Sequence, residues 1–426
     1  MKLLYVLLDG VGDRPNPMLQ GKTPLEAAST PGMDRLASRG VSGLVYTVGK
    51  GVAPESDVAV FSMLGYSFGK EYPGRGVIEA VGAGIPFRNG DLALRANFAT
   101  VDEALTITDR RAGRNLGQEE GKRLAQEVSE KARLSMAGAS FRFVHTLAHR
   151  AVLTFRVDGE VLSGELSNTD PAYAKVGGMG VAREKVTDNP LRCIPLDGSR
   201  GAATGAFLVN EFVDKSHEVL DHSEVNRERL KRGFKPANIV LTRDGGSKLP
   251  VVEQMSSKYG ASFAVIADMP VELGIGKLTG MEVHVSKGMF DYKGKLEDAM
   301  RLLARHDVVY LHIKGPDEPG HDGDAIAKVK RLEEIDRGFF LPLVDAGRLE
   351  AVTVAVSADH STPCTIRAHS DDPVPLVISG EGLPRDGTER FTESAASKGS
   401  LGLLSGREVL ATALKYARMR TAPFSF

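Results

Sequence analysis

The sequence has few cysteines, and this scarcity limits the kinds of protein that it can encode. Only Cys193 and Cys364 occur among 426 residues, far apart and outside any CxxC pair. Neither a disulfide framework nor a thiolate zinc site is therefore indicated. We expect a protein of the reducing cytoplasm.

An excess of charge of either sign is also missing. Lys and Arg total 54 against 55 for Asp and Glu, so no global field favours nucleic acid or an anionic membrane, and we expect neither as a partner. The apolar start, residues 3–8, ends at Asp9 and is too short for a signal peptide or a membrane span. Any anion must be bound by a local cluster, and the oligomeric state stays open.

Several short apolar runs rich in β-branched residues predict the strands of a buried sheet. They are residues 3–8, 237–242, 262–267, 308–313 and 351–356. Helical patterns separate several of them, at 31–40, 296–304 and 325–340. Alternating strands and helices predict an α/β core with a mostly parallel sheet and helices on both faces.

The middle of the chain has a different pattern. A long polar helix is predicted at 118–134, followed by strand-like segments at 141–146 and 151–157. We expect residues 87–235 to form an inserted, smaller α+β domain, because the first β-α elements precede them and further core strands follow. The core is then discontinuous, with residues 1–86 and 236–426.

Acidic and histidine side chains follow three of the predicted core strands. The carboxyl ends of strands in an open α/β sheet line its ligand crevice, so these segments converge on one place. The residues are Asp9 after the first strand, Asp317 and His321 after 308–313, Asp359 and His360 after 351–356, and His369 in the next loop. The alternative is that each acidic loop is simply solvated. Convergence of separate segments favours a common site.

This set of side chains predicts two divalent metal ions. Carboxylate oxygen and imidazole nitrogen together suit borderline cations such as Zn²⁺ or Mn²⁺, and they leave Co²⁺ and Mg²⁺ open. There are too many ligands for one ion, so we expect two ions about 4 Å apart. One set is Asp317, His321 and His369, and the other is Asp9, Asp359 and His360.

Ser56 precedes a predicted helix at 57–64. A serine in this position is most simply a cap for the helix N-terminus. The same position suits a nucleophile, because a helix N-terminus favours negative charge and a bound dication lowers the pKa of a hydroxyl group. The sequence has no G-x-S-x-G constellation, which argues against an ordinary acyl hydrolase.

Motifs along nearly the whole chain resemble those of the archaeal-type cofactor-independent phosphoglycerate mutases, which belong to the alkaline phosphatase superfamily. The stretches are LLDGVGDRP, PES at Ser56, GRGVIEAVGAG, FATVDE, TDRRAGR, LVNEF, PANIVLTRDGG, IKGPDEPGHDGD and SADHSTPC. The resemblance implies an alkaline-phosphatase-like core and an isomerase that interconverts 3- and 2-phosphoglycerate in glycolysis and gluconeogenesis. It also implies a phosphoserine intermediate, with no need for 2,3-bisphosphoglycerate.

The resemblance further implies a role for each ligand. Ser56 is the phosphorylated nucleophile, and the metal sets become Asp317, His321 and His369 for one ion and Asp9, Ser56, Asp359 and His360 for the other. The segment Glu55-Ser56-Asp57-Val58-Ala59 departs from the bacterial independent mutases, which have Asn-Ser-Glu-Val-Gly there. The asparagine that helps to hold the phosphoryl group is therefore missing at this position.

A substrate that contains carboxylate and phosphate requires guanidinium groups, which bind both in a bidentate manner. The run from Asp109 to Arg114 supplies Arg110, Arg111 and Arg114, in the inserted domain where the resemblance places the substrate clamp. Asp109 is a candidate base, and Arg243 and Lys258 are further candidates on the core side. The alternative for each is an ordinary solvated side chain.

Two other functions remain open from the residues. A metal-dependent phosphatase, or a mutase for another small phosphate ester, would share the metals and Ser56 and differ in the clamp. A non-catalytic, metal-stabilised binding protein would have no need for a serine beside the ligand set.

Overall fold

The computed structural model describes residues 1–67, 72–176, 179–183, 187–347 and 350–419. Its strands are β1 (Leu3–Leu8), β2 (Gly40–Tyr46), β3 (Leu92–Val101), β4 (Ile107–Asp109), β5 (Ala139–Leu147), β6 (Arg150–Val157), β7 (Tyr173–Val176), β8 (Met179–Ala182), β9 (Ile239–Gly246), β10 (Phe263–Ala267), β11 (Glu282–Val285), β12 (Val308–Ile313), β13 (Thr353–Ala358), β14 (Val374–Ser379) and β15 (Gly402–Ser405).

The α-helices alternate with many of these strands. They are α1 (Pro24–Ala27), α2 (Pro31–Ser38), α3 (Ser56–Met63), α4 (Arg75–Gly82), α5 (Gln118–Lys131), α6 (Arg200–Asp221), α7 (Glu224–Lys231), α8 (Met255–Tyr259), α9 (Pro270–Leu278), α10 (Tyr292–Arg305), α11 (Asp317–Asp322), α12 (Ala325–Ile335), α13 (Leu341–Asp345), α14 (Glu393–Ala396) and α15 (Gly406–Met419). Among the described residues, no helix combines the length and apolarity that a membrane crossing requires.

The chain forms two compact units. Unit 1 comprises Met1–Phe68, Glu253–Asp268 and Ile275–Phe426, and unit 2 comprises Gly69–Val252 and Met269–Gly274. Unit 2 begins before and ends after the range 87–235 that we predicted for the insertion. The reason is that α4 packs against β3 and β9, so both α4 and β9 belong to unit 2.

An eight-stranded sheet forms the centre of unit 1, in the order β11-β10-β12-β1-β13-β14-β2-β15. The strand β14 runs antiparallel to both of its neighbours, whereas the other pairs are parallel. All residues of β1, β12 and β13 are buried, as expected for strands covered on both faces. The predicted α/β core with a mostly parallel sheet is confirmed.

Unit 2 contains a second, antiparallel sheet. Its strands follow the order β4-β3-β6-β5, and β9 pairs with the other edge of β3. An aromatic cluster of Phe98, Phe143, Phe155 and Phe212 joins the sheet to α6. The prediction that residues 237–242 form a core strand was wrong, because β9 belongs to this sheet; a short apolar run indicates burial without indicating which sheet buries it.

Candidate active site

Three neighbouring strands bring polar side chains to one edge of the unit 1 sheet. The last residue of β1 is paired with the last residues of β12 and β13. The next residues along the chain are Asp9, Lys314 and Asp359. Because the strands are parallel and in this register, those three residues emerge side by side.

His360 is the centre of the first group of side chains. Its Nε2 lies 3.3 Å from Asp359 Oδ2 and 3.6 Å from Asp9 Oδ1. The same nitrogen is 3.2 Å from Ser56 Oγ. Backbone N–H groups of Gly10 and His360 donate to Asp359 Oδ1 at 3.1 and 3.0 Å, which fixes the orientation of this carboxylate. All four side chains are buried.

Asp317 is the centre of the second group. Its Oδ1 lies 3.5 Å from His321 Nε2 and 3.4 Å from His369 Nε2, and the two imidazole nitrogens are 3.2 Å apart. The ring of His369 stacks on that of His360 with 3.8 Å between centroids. The structure therefore brings all seven predicted ligand side chains into one continuous cluster.

Ser56 is the first residue of α3 and not its cap. Glu55 occupies the N-cap position with extended backbone, and its side chain makes no capping hydrogen bond. The helix thus begins one residue earlier than the predicted 57–64. The hydroxyl group of Ser56 lies beside His360, so the explanation of this serine as a helix cap was wrong.

The cluster shifts the pKa values of its members in opposite directions. Burial raises the pKa of Asp9 to about 7, opposed by Lys314 and reinforced by Asp317 and Asp359. Burial also lowers the pKa of His360 to about 4, so its imidazole is neutral at physiological pH and able to bind a metal ion.

The donor atoms fit divalent metal ions. Two sets each have three donor atoms within 4.8 Å of one another. Asp9 Oδ1 is buried and accepts no hydrogen bond within the described part of the chain, and a cation would satisfy it. Oxygen and nitrogen donors without thiolate suit Zn²⁺ or Mn²⁺. The sets are Asp9, His312 and Asp359, and Asp317, His360 and His369. They differ from the predicted sets, because His312 joins Asp9 and Asp359, and His360 is grouped with Asp317 and His369 where His321 was predicted. His360 Nε2 is also 3.3 Å from Asp359 Oδ2, so this histidine lies within reach of both sets.

Unit 2 contains the predicted arginines as a group. Arg243 belongs to it because β9 is part of unit 2, so its predicted place on the core side was wrong. Burial lowers the pKa of Arg111, and the nearby charges of Arg114, Arg110 and Arg243 lower it further, so these guanidinium groups lie within electrostatic range of one another. Arg243 stacks over the ring of Tyr173 at 3.7 Å. Such a concentration of positive charge favours an anion.

Arg110 differs from the other arginines because it already has a carboxylate partner. Its Nε and Nη2 donate to the two oxygens of Asp170 at 3.1 and 2.9 Å. Asp170 is 1% exposed, so this bidentate pair mainly holds the loop in place. Arg229 anchors the same loop from α7, donating to the Ala112 carbonyl at 3.1 Å and to Asn115 Oδ1 at 2.7 Å.

His149, in the turn before β6, extends this positive region and was not predicted. Its side chain is 8% exposed. Burial, together with the charges of Arg150, Arg111, Arg243 and Arg95, lowers its pKa to about 2. Its imidazole is therefore neutral at physiological pH and can form hydrogen bonds without adding a further positive charge.

Asp109 is held within the loop. Its Oδ1 accepts from the Arg111 N–H at 2.8 Å, and its Oδ2 lies 3.1 Å from Lys235 Nζ. Burial alone would raise the pKa of Asp109, but these hydrogen bonds bring it below its usual value. A carboxylate of low pKa is a weak proton acceptor at neutral pH, so this geometry favours a structural role over the predicted role as a base.

Comparison with known proteins identifies the family. A family model described as 2,3-bisphosphoglycerate-independent phosphoglycerate mutase matches residues 37–226. A relative of that name from Aeropyrum pernix is 43% identical over 417 residues, which cover 95% of this chain and 97% of the relative. The chain belongs to the 2,3-bisphosphoglycerate-independent phosphoglycerate mutase family. The predicted family is confirmed, and its members are isomerases.

Further relatives agree with this phosphoglycerate mutase assignment. A relative of the same name from Methanopyrus kandleri is 41% identical, with coverage of 96% of this chain and 94% of the relative. A solved cofactor-independent phosphoglycerate mutase from Thermoplasma acidophilum is 31% identical with a TM-score of 0.60, covering 98% of this chain and 100% of that chain. A solved protein from Pyrococcus horikoshii has a TM-score of 0.75 at 29% identity, covering 100% and 99%.

Two side chains of the mutase cluster were not predicted from the sequence. Lys314 Nζ lies 3.3 Å from Asp9 Oδ2. Its place directly after β12 was a usable signal, since Asp9 and Asp359 follow their strands in the same way. His312 Nε2 lies 3.5 Å from Asp359 Oδ2; it belongs to the strand itself, where a single histidine is usually a core residue.

Lys258, predicted as catalytic, packs among aromatic side chains of unit 1. Its Nζ is 5.1 Å from the centroid of the Tyr66 ring and 5.7 Å from that of the Tyr259 ring. Lys314, by contrast, has its Nζ 3.3 Å from a carboxylate oxygen of the cluster, and the catalytic role of Lys258 stays a prediction.

Proposed function

We propose that this protein interconverts 3-phosphoglycerate and 2-phosphoglycerate through a phosphoserine at Ser56, as a cytoplasmic enzyme of glycolysis and gluconeogenesis. The observation that supports this proposal most strongly is the position of Ser56 Oγ, 3.2 Å from His360 Nε2, in a buried cluster of metal-binding side chains. The names of the full-length relatives support the choice of substrate.

Two divalent metal ions are part of the proposal. Asp317, His321 and His369 would hold one ion, and Asp9, Ser56, Asp359 and His360 the other, with His312 as an additional ligand beside Asp359. When bound, such ions lower the pKa of a serine hydroxyl and neutralise charge on phosphoryl oxygens. Mn²⁺ and Zn²⁺ suit the donor set best, and Co²⁺ and Mg²⁺ are compatible with it.

The reaction then has two phosphoryl transfers with Ser56 as the common partner. In the first, Ser56 Oγ attacks phosphorus, the Oγ–P bond forms, the bond from phosphorus to O3 of the substrate breaks, and O3 of the leaving glycerate gains the proton that Ser56 loses. In the second, O2 of glycerate attacks the phosphorus of the phosphoserine, the O2–P bond forms, the Oγ–P bond breaks, and Ser56 Oγ regains the proton that O2 loses. The position of Ser56 at the start of α3 favours the negative charge of the phosphoserine.

The arginines of unit 2 are the proposed ligands of the anionic groups of the substrate. Arg111, Arg114 and Arg243 form the positive region, and His149 adds a neutral hydrogen-bonding group to it. Arg110 has Asp170 as its bidentate partner, so we assign it to holding the loop and the others to binding carboxylate and phosphate.

Replacement of the nucleophile tests this proposal. Ser56→Ala should abolish conversion of 3-phosphoglycerate to 2-phosphoglycerate and leave bound metal unchanged, because the other ligand side chains remain. Ser62→Ala is the matched control and should retain activity, because Ser62 is the seventh of the eight residues of the same helix and is also buried. Isomerisation by Ser56→Ala at the wild-type rate would contradict the nucleophile assignment. Release of inorganic phosphate as the main product of the wild-type protein would favour a phosphatase.

A further inference from the structure

A buried ion pair joins the two loops that follow β1 and β13. Lys328, on α12, is fully buried, and its Nζ lies 2.9 Å from Asp13 Oδ2. Nζ also donates to the carbonyl of Gly12 at 3.2 Å and to the carbonyl of Thr362 at 3.0 Å. Gly12 and Asp13 belong to the loop that begins with Asp9, and Thr362 belongs to the loop that begins with Asp359.

The Asp13 carboxylate accepts hydrogen bonds from the backbone of both loops. Its carboxylate accepts from the backbone N–H of Arg14 at 2.8 Å and from that of Cys364 at 3.1 and 3.2 Å. The three hydrogen bonds of the Lys328 ammonium and those of Asp13 therefore connect the same two segments. None of the three Lys328 hydrogen bonds goes to a ligand side chain.

Thr362 links this ion pair to the metal ligands. Its Oγ1 donates to Asp317 Oδ1 at 2.7 Å and lies 3.1 Å from His360 Nδ1. One hydroxyl thus orients a carboxylate and an imidazole from two different segments. Since Lys328 holds the carbonyl of the same threonine, a shift of Lys328 would move both ligands.

A gain in stability is only a weak explanation for a buried pair of this kind. Desolvation offsets much of the Coulomb attraction, and apolar replacements of buried ion pairs are often neutral or stabilising. Metal binding has a stricter demand, because ligand distances must hold within about 0.2 Å and the groups that orient the ligands affect affinity by about 10–100-fold.

We propose that Lys328 and Asp13 are positioning residues, which set the distance between the Asp9 and Asp359 loops and, through Thr362, the orientation of His360 and Asp317. This inference rests on the proposed two-metal function. It assigns a role to side chains outside the ligand set, and it predicts that metal affinity depends on them separately from the stability of the fold.

The test compares two double variants of the full-length protein. Lys328→Met/Asp13→Asn removes both charges and avoids leaving one charge buried alone. Lys295→Met/Asp268→Asn is the control, since Lys295 is also fully buried and its Nζ lies 3.0 Å from Asp268 Oδ1. The other partners of Lys295 Nζ are Ser286 and the carbonyls of Gly288 and Met289, which are not proposed ligands. Mn²⁺ affinity is measured by competition with a chromophoric chelator, and the free energy of unfolding by urea denaturation of the metal-free proteins.

We expect Lys328→Met/Asp13→Asn to bind Mn²⁺ at least about 10-fold more weakly than wild type, while the control double variant binds as wild type does. Thr362→Val, which removes the hydroxyl and keeps the carbonyl, should weaken Mn²⁺ binding similarly and serves if the first variant does not fold. Wild-type affinity in Lys328→Met/Asp13→Asn, or in Thr362→Val if the first variant does not fold, would overturn the positioning role alone. A wild-type protein that binds no Mn²⁺, Zn²⁺, Co²⁺ or Mg²⁺ would overturn the two-metal function and this inference with it.

Discussion

Lys314 offsets negative charge in a cluster that contains three carboxylates. Its Nζ is 3.3 Å from Asp9 Oδ2. Lys314→Met should lower kcat/KM by about 100-fold or more, because the anionic substrate loses a fixed positive charge near the phosphoryl group. Lys293→Met, at an exposed lysine of α10 in unit 1, removes the same charge and should change kcat/KM by no more than about threefold. Steady-state kinetics of the two variants check this, and equal losses would contradict it.

His149 should remain neutral over the whole physiological pH range. Burial and then the charge of Arg150 lower its pKa from the usual 6.5 to about 2. A lowered pKa stabilises the fold above pH 6.5, and this contribution is lost as the pH falls from 6.5 towards 2. An ordinary histidine titrates between about pH 5 and 8. NMR of the free protein should show no titration of the His149 imidazole over that range. Added inorganic phosphate should raise the pKa of His149, and a free-protein pKa near 6.5 would contradict the described environment.

Single residues of the site were predictable where residue type and strand position agreed. Asp9, Asp317 and Asp359 follow apolar runs, and this pattern indicates ligands at strand ends. His312 lies inside such a run, so its sequence context favours a core residue. His149 and the run at Arg111 are separated in sequence and meet only when β3 pairs with β6, so no local pattern could indicate that they act together.

At the scale of the element, the turn after β1 requires glycine. Gly10 has a φ of +63°, and a Cβ there would lie 2.6 Å from Thr362 Oγ1 and 2.8 Å from the Asp317 Cα. Gly10→Ala should therefore displace the ligand loops and weaken Mn²⁺ binding by about 10-fold or more. Gly21→Ala is the matched control, because Gly21 also has a positive φ, +78°, but no atom within 4 Å of a Cβ.

Both glycine variants should lose about 1 kcal/mol of unfolding free energy from backbone strain, and only Gly10→Ala should also lose metal affinity. Urea denaturation and Mn²⁺ titration separate the two effects. Equal Mn²⁺ affinities in the two variants would show that the close approach at Gly10 does not matter for the ligands.

Helices and strands with a clear residue pattern were predicted well, whereas the sheet to which a strand belongs was not. The predicted helix at 118–134 corresponds to α5 (Gln118–Lys131), and the first strand corresponds to β1. The strand β9 had the same apolar composition as the core strands, yet it pairs antiparallel with β3 in unit 2. Burial of apolar side chains is a local property, whereas the choice of sheet depends on contacts that are distant in sequence.

At the scale of the whole molecule, charge is balanced in total and separated locally. The formal net charge is −1, but unit 1 concentrates carboxylates and imidazoles in one cluster and unit 2 concentrates guanidinium groups in another. The balanced numbers of acidic and basic residues led to the prediction that an anion must be bound by a local cluster of positive charge, and the grouping of arginines in unit 2 agrees with it. A metal-binding cluster and an anion-binding cluster are the two requirements of phosphoryl transfer from a small anionic substrate.

The most direct test of the central claim is ³¹P NMR of 3-phosphoglycerate with the chelated enzyme, before and after addition of Mn²⁺ or Zn²⁺, without 2,3-bisphosphoglycerate. We expect no conversion by the chelated enzyme and the appearance of 2-phosphoglycerate, with little inorganic phosphate, once metal is restored. Full conversion by the metal-free enzyme, or no conversion with any of Mn²⁺, Zn²⁺, Co²⁺ and Mg²⁺, would contradict it.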